Sequence, residues 1–284
     1  YASNKAFTEE RFRPYLELRY TKPDVEMELT AIAQRLYYHA AHVYMDVVEL
    51  DKAAGYAEKA CELARKLGEV YYKVLSCVLL SRLEVVSGGT PPVEKFEKIW
   101  QRALQSVREL GAEAIVATLG EYVVALASAG RLDDVGRELE EWDWALELNP
   151  DASALTYGVL SLFDGRYLEK AMEHLPEEAK TDLPKFADTL YDITKAGAKE
   201  VPKTTWWSSE LFLSALVGLA HCKRGDEWGL KLAEAAALVG SQLFKGVVGR
   251  LFDELYRVLE GATVDNCVTE KVLKAVYKLY YYHV

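Results

Sequence analysis

The spacing of aromatic and small residues in the first quarter of the chain constrains its fold more than any other feature. The two stretches read Tyr37-x-x-Ala40-Ala41-x-x-Tyr44 and, nine residues later, Ala53-x-x-x-Ala57-x-x-Ala60. Small residues at helical spacing let two helices cross closely, while aromatic rings fill the seam between them. The pattern predicts a paired-helix repeat unit.

Helical periodicity continues along the rest of the chain, with glycine and proline separating the apolar segments. No alternating strand pattern bounded by hairpin turns is found in the sequence. Half of the 284 residues are apolar, which is enough for a continuous core, and the predicted fold class is all-α. The predicted helices cover residues 8–19, 24–50, 51–67, 69–86, 91–110, 112–129, 133–148, 152–163, 167–174, 183–196, 208–223, 227–239, 244–259 and 269–282.

Residues 34–67 resemble the tetratricopeptide repeat (TPR), a helix-turn-helix unit with the pattern W-x2-L-G-x2-Y, then A-x3-F, A and P. Arg65 stands where the family has its terminal proline, and the later units match only loosely. The resemblance implies an antiparallel helix-pair solenoid, a divergent TPR-like superhelix that is irregular in its second half. The first-helix matches are Tyr37, Ala40, Ala41 and Tyr44, and the second-helix matches are Ala53, Ala57 and Ala60.

The same spacing divides the chain into four parts. An N-terminal capping segment (1–23) precedes TPR-like helical repeats (24–175). Prolines at 176 and 184 interrupt the repeat spacing in an irregular helical connector (176–205). C-terminal helical repeats and a capping helix (206–284) complete the chain.

The resemblance also implies a function, because such repeats are protein-binding scaffolds whose first helices line a concave groove. The chain is accordingly expected to be an interaction scaffold that forms the regulatory or sensing part of a larger protein or complex. The groove positions of the first unit are mixed polar and aromatic, and the partner-binding residues expected there are Arg35, Tyr38, His42 and Asp46. Corresponding positions in the later units are apolar. Either the chain fills its own groove, or the groove takes an apolar ligand or helix.

Net charge limits the classes of partner. At −10 the surface repels nucleic-acid phosphates and anionic lipids, so a protein or peptide partner is expected, with no nucleic acid and no membrane. No membrane-length apolar run and no signal peptide are present, which favours a cytoplasmic protein. Only three Asn and four Gln occur, a composition that favours a thermophilic source.

The four cysteines form no C-x-x-C pair, so a zinc site and a thioredoxin-like motif are both unsupported. They are interpreted as small buried hydrophobes. Cys61 and Cys77 flank Gly68, so an antiparallel hairpin could bring them close enough for a disulfide. Both interpretations stay open for this pair.

No constellation of residues predicts a reaction, a cofactor or a metal site, and the chain is expected not to be an enzyme. His42 and Asp46 lie four residues apart, but two ligands do not make a metal site, and a surface His–carboxylate pair is expected.

Two alternatives accompany the scaffold hypothesis. One is a small-molecule sensor that binds an apolar ligand inside the solenoid, near Val124, Leu155, Leu162 and Phe212. The other concerns the aromatic residues of the C-terminal part, which either pack in the core or form a homodimer surface. They are Trp206, Trp207, Tyr277, Tyr280, Tyr281 and Tyr282.

Overall fold

A computed structural model of the chain describes residues 23–67, 70–110, 113–196 and 207–284. The described part is helical, with 14 α-helices and no strand, as the periodicity predicts. The predicted capping helix 8–19 lies outside the described residues, as does the end of the connector. In chain order the helices are α1 (Pro23–Asp46), α2 (Leu50–Leu67), α3 (Val70–Gly88), α4 (Val93–Leu110), α5 (Glu113–Ser128), α6 (Leu132–Glu147), α7 (Pro150–Ser161), α8 (Leu168–Met172), α9 (Glu177–Thr181), α10 (Leu183–Ala196), α11 (Ser208–Lys223), α12 (Glu227–Leu243), α13 (Gly246–Leu259) and α14 (Glu270–His283).

Most helix ends lie within two residues of the sequence prediction, and the turn chemistry explains where the helices stop. Gly130 and Gly225 have positive φ and close α5 and α11 with paired backbone hydrogen bonds of the Schellman type. The same motif ends α1 at Asp46, four residues earlier than predicted, although its left-handed position is occupied by Val48 with φ of 68°. A β-branched residue is rare in that conformation, which is why the sequence did not predict this stop.

Small residues line the seams between neighbouring helices. Ala53, Ala57 and Ala60 of α2 are fully buried against α1, as the repeat pattern predicts. Farther along, a Cβ atom on Gly229 would lie 2.5 Å from the backbone oxygen of Gly218, so α11 and α12 approach each other through two glycines. Close helix pairs therefore occur in both halves of the chain.

Each long helix from α1 to α7 packs against the next one in sequence. In addition, α1 contacts α3, α3 contacts α5, α5 contacts α7, and α7 contacts α11. From α1 to α7, each odd-numbered helix thus also contacts the next odd-numbered one, and α7 contacts α11 beyond the short helices. One large apolar cluster extends from Cys61 to the C-terminus, and a smaller one joins α1, α2 and α3 around Ala41 and Leu79.

The C-terminal helix does not simply extend this row. α14 packs against α3, α7, α11 and α13, and its Tyr280 and Tyr281 side chains are fully buried. The helices that it contacts include α3, α7 and α11, which also belong to the series of contacts that starts at α1. The last helix therefore packs across three helices of that series.

Two disulfides cross-link the chain. Cys61 and Cys77, the pair for which the sequence left a disulfide open, are bonded and join α2 to α3, with the two Cα atoms 5.1 Å apart. Cys222 and Cys267, interpreted from the sequence only as buried hydrophobes, are also bonded, with a Cα separation of 6.4 Å. This second bond attaches the end of α11 to the segment that leads into α14, so all four cysteines are paired.

Within the described ranges, no helix combines the length and the apolar character that crossing a bilayer requires.

Candidate functional site

The four predicted partner-binding residues occupy successive turns of α1. Arg35 and Asp46 are exposed, whereas Tyr38 and His42 are half-buried, with their ring centroids 4.8 Å apart in an edge-on contact. The Tyr282 hydroxyl of α14 donates to Asp46 Oδ1 across 2.9 Å. In the structure, Tyr38 and His42 thus contact each other, whereas Asp46 is hydrogen-bonded to the C-terminal helix.

His42 is held in its neutral form by its surroundings. Burial lowers the pKa of its imidazole below the usual value of 6.5, and the nearby Arg82 charge lowers it further. The Asp46 carboxylate opposes these two effects without overcoming them. The expected His42–Asp46 charge pair is therefore replaced by a neutral imidazole and by a hydrogen bond from Tyr282 to Asp46.

A buried ion pair lies beside these residues. Arg82 of α3 donates from Nε, at 2.8 Å, and from Nη2 to the same oxygen, Oε1 of Glu121 on α5. The Glu121 side chain is only 2% exposed and the Arg82 side chain 15%. A carboxylate at this depth is tolerated because a guanidinium neutralises it.

The ion pair and Tyr38 form part of the wall of a cavity of about 400 Å³. Its walls come from α1, α3, α5, the α6–α7 junction and the end of α14. The lining residues are Tyr38, Leu75, Arg82, Val116, Gly120, Glu121, Leu148, Asn149, Ala152, Tyr280 and Val284. Leu148 is 62% exposed, and it gives the cavity an apolar rim.

Gly120 allows three helices to meet at the base of this cavity. A Cβ atom at position 120 would lie 2.8 Å from both Thr156 Oγ1 and the Tyr280 hydroxyl oxygen. Those two oxygens are hydrogen-bonded to each other at 2.9 Å, and the Tyr281 hydroxyl donates to the Glu121 carbonyl oxygen at 2.7 Å. Any larger residue at position 120 would separate α5, α7 and α14.

Burial raises the pKa of the Tyr280 and Tyr281 hydroxyls well above the usual value of 10, so both hydroxyls stay neutral. The cavity wall therefore offers hydrogen-bonding groups and one internally neutralised ion pair. Among the residues that the structure describes, no three His, Cys, Asp or Glu side chains converge as metal ligands would. The arrangement suits binding through hydrogen bonds and apolar contacts.

Sequence reasoning did not select Arg82 or Glu121, although a signal was present. Between Ala114 and Ala129, Glu121 is the only charge, and a lone carboxylate on an otherwise apolar helix needs a partner. Helical periodicity does not say which of the other helices supplies that partner. The structure shows that the partner is Arg82 of α3.

The residues named for the sensor alternative lie elsewhere. Val124, Leu155, Leu162 and Phe212 are buried in the large apolar cluster and do not line this cavity.

The C-terminal aromatic residues are mostly enclosed. Tyr277, Tyr280 and Tyr281 are buried within the chain, and Trp207 is 69% exposed, whereas Trp206 lies outside the described ranges. A homodimer stays a prediction, but these three buried tyrosines cannot form its surface.

No protein-family model matches the sequence, and no curated protein or solved structure shows significant similarity to it.

Proposed function

We propose that this chain is a non-catalytic protein-interaction scaffold, a divergent TPR-like array that binds a peptide or protein segment at the cavity beside Tyr38. The observation that carries the proposal is the cavity itself. Its wall contains the predicted binding residue Tyr38, an apolar rim at Leu148, and the ion pair between Arg82 of α3 and Glu121 of α5. Pockets that combine apolar walls with a few fixed polar groups are typical of binding sites.

The packing order supports the repeat-array part of the proposal. Consecutive helices pack as pairs, and α1, α3, α5, α7 and α11 contact one another in turn, as the first helices of stacked repeats do. α14 covers part of the face that these helices form, which leaves the cavity near α1 as the open portion. Of the two groove alternatives, this arrangement favours a groove that the chain itself largely fills.

The partner in this proposal is a peptide or protein, with no role for nucleic acid. A net charge of −10 opposes binding to a phosphate backbone or to an anionic membrane surface. The same proposal places the protein in the cytoplasm of a thermophilic organism. Two disulfides are compatible with it, since intracellular proteins of some hyperthermophiles are rich in disulfides, but they fit an oxidising compartment equally well.

Selection from a phage-displayed library of random peptides tests the proposal directly. We expect enriched peptides whose binding, measured by fluorescence polarisation, is lost in Ala152→Phe, which places a ring in the cavity. The matched control is Asp151→Phe, which adds the same ring to the preceding, exposed residue. If no peptide is enriched, or if both variants bind equally well, this site is not a peptide site.

A small-molecule sensor is the second candidate. It is favoured by the cavity volume of about 400 Å³, which falls within the range of ordinary ligand pockets. In this version the ligand binds beside Arg82 and Glu121, because the positions first named for it are packed in the core. Binding of small fragments without any peptide enrichment would favour the sensor over the scaffold.

A further inference from the structure

The ion pair in the cavity wall leaves part of each partner unused. Both donor atoms of Arg82 that contact Glu121, Nε and Nη2, converge on Oε1. Within the described part of the chain, Glu121 Oε2 accepts no hydrogen bond and Arg82 Nη1 donates none. The pair therefore retains an unused carboxylate oxygen and unused guanidinium N–H groups while carrying no net charge.

Apart from Arg82 and Glu121, the side chains that line the cavity carry no charge. His42 is neutral because burial and Arg82 lower the pKa of its imidazole. The Tyr280 hydroxyl is already hydrogen-bonded to Thr156. Apolar side chains make up much of the remaining wall, namely Leu75, Val116, Leu148 and Ala152.

These surroundings discriminate between classes of ligand. A charged group would lose its hydration without meeting an unpaired opposite charge, and this loss is unfavourable. A hydrocarbon would leave Glu121 Oε2 and Arg82 Nη1 without partners. A primary amide is uncharged and carries an N–H donor and a carbonyl acceptor on the same edge, so it matches the two unused groups.

We propose that the cavity binds an uncharged primary amide, the side chain of an Asn or Gln residue of the partner. Its N–H donates to Glu121 Oε2, and its carbonyl oxygen accepts from the guanidinium of Arg82. This assignment rests on the proposed function, since it takes the cavity to be the site where the partner binds. It adds the chemical class of the group that is recognised.

Three fragments of nearly equal size test the assignment: benzamide, benzoate and benzylammonium. Each is titrated against the full chain by ligand-observed NMR. We expect benzamide to bind at least about tenfold more tightly than either charged fragment, since a charged fragment loses its hydration without meeting an unpaired opposite charge. Ala152→Phe should abolish benzamide binding, and Asp151→Phe should preserve it.

Charge-neutralising variants provide a readout that a purely structural ion pair would not affect. Glu121→Gln leaves the Arg82 guanidinium unpaired, so the preference should shift about tenfold toward benzoate. Arg82→Gln leaves the carboxylate unpaired and should shift the preference toward benzylammonium. Circular dichroism checks that each variant folds. If one of these two variants does not fold, the amide proposal is decided by the order of fragment affinities in the wild type and by the loss of benzamide binding in Ala152→Phe.

The amide proposal is overturned if a charged fragment binds the wild type more tightly than benzamide, if no fragment binds, or if Ala152→Phe leaves benzamide binding intact. Failure of the broader function is a separate result. Peptides that bind at the cavity without benzamide selectivity would preserve the scaffold and remove the amide. Selective benzamide binding without any enriched peptide would preserve the amide proposal and remove the scaffold proposal.

Discussion

The first and last helices of the described chain occupy very different environments. α1 exposes large apolar side chains, including Val43 at 59% and Ile32 at 51%. α14 buries half of its fourteen residues, among them Tyr280 and Tyr281, between α3, α7, α11 and α13. Both helices are rich in apolar residues. The comparison shows that burial depends on how many helices surround a segment, more than on its own composition.

The two ends also contribute differently to the cavity. α1 supplies Tyr38, a half-buried side chain at the wall. α14 supplies Tyr280, which is fully buried and hydrogen-bonded to Thr156. We therefore expect substitutions in α14 to reduce stability, and substitutions on the exposed side of α1 to leave stability nearly unchanged.

The largest contrast should come from truncating one buried and one exposed side chain. Tyr281→Ala removes a fully buried ring that lies 5.1 Å from Phe96, together with the hydrogen bond to the Glu121 carbonyl, and should lower the free energy of unfolding by about 3–5 kcal/mol. Val43→Ala, on the exposed side of α1, should change it by less than about 0.5 kcal/mol. Urea denaturation followed by circular dichroism measures both. Equal losses would contradict the assigned environments.

Removing the disulfides gives the next largest effects. Replacing Cys222 and Cys267 by Ala opens a bond that spans 45 residues and anchors the segment before α14, at an expected cost of about 4 kcal/mol. Replacing Cys61 and Cys77 opens a bond that spans 16 residues, at about 3 kcal/mol. The same denaturation measurement compares the two variants. A larger loss at the N-terminal bond would reverse the predicted order.

A pair of glycine substitutions tests close packing in the two regions. Gly120→Ala places a methyl group against Thr156 of α7 and Tyr280 of α14, so we expect a loss of about 1–3 kcal/mol in unfolding free energy. Gly55→Ala, in α2 next to α1, meets no atom within 4 Å and should stabilise the chain by about 0.5–1 kcal/mol through helix propensity. The midpoint of thermal unfolding should move in opposite directions. A shared direction would contradict the tight junction at Gly120.

The smallest expected effect is a difference in pH dependence between two histidines. Burial lowers the pKa of His283 in α14 and of His42 in α1 below the usual 6.5. The unfolded chain therefore takes up more protons as the pH falls, so their contribution to stability is complete above about pH 6.5 and decreases below it. Comparing unfolding free energies at neutral and mildly acidic pH should show this loss in the wild type.

The variants His283→Gln and His42→Gln separate the two contributions. His283 Nδ1 donates to the Leu279 carbonyl at 2.8 Å, and its Nε2 atom is buried without a partner among the described residues. We expect His283→Gln to reduce the pH dependence more than His42→Gln does, because His283 is more deeply enclosed. A steeper pH dependence in either variant would contradict the lowered pKa of the histidine that it replaces.

Much of the secondary structure could be predicted from local sequence. α10 and α11 have the predicted bounds, and the turn at Gly225 was identified because glycine readily adopts the left-handed conformation. The Cys61–Cys77 bond was one of two interpretations that the sequence left open, because both cysteines belong to one short hairpin. The Cys222–Cys267 bond was not predicted, since it joins segments 45 residues apart, whose proximity no local pattern reveals.

The sequence alone determined that the chain is helical, where most helices begin and end, and that Tyr38 and His42 share one face of the first helix. Only the tertiary structure decided that α14 folds back against α3, α7 and α11, and that Glu121 meets Arg82 beside Tyr38. The reason is physical. Helix formation depends on residues three or four positions apart, whereas the cavity depends on contacts between helices separated by tens to hundreds of residues, which local periodicity does not encode.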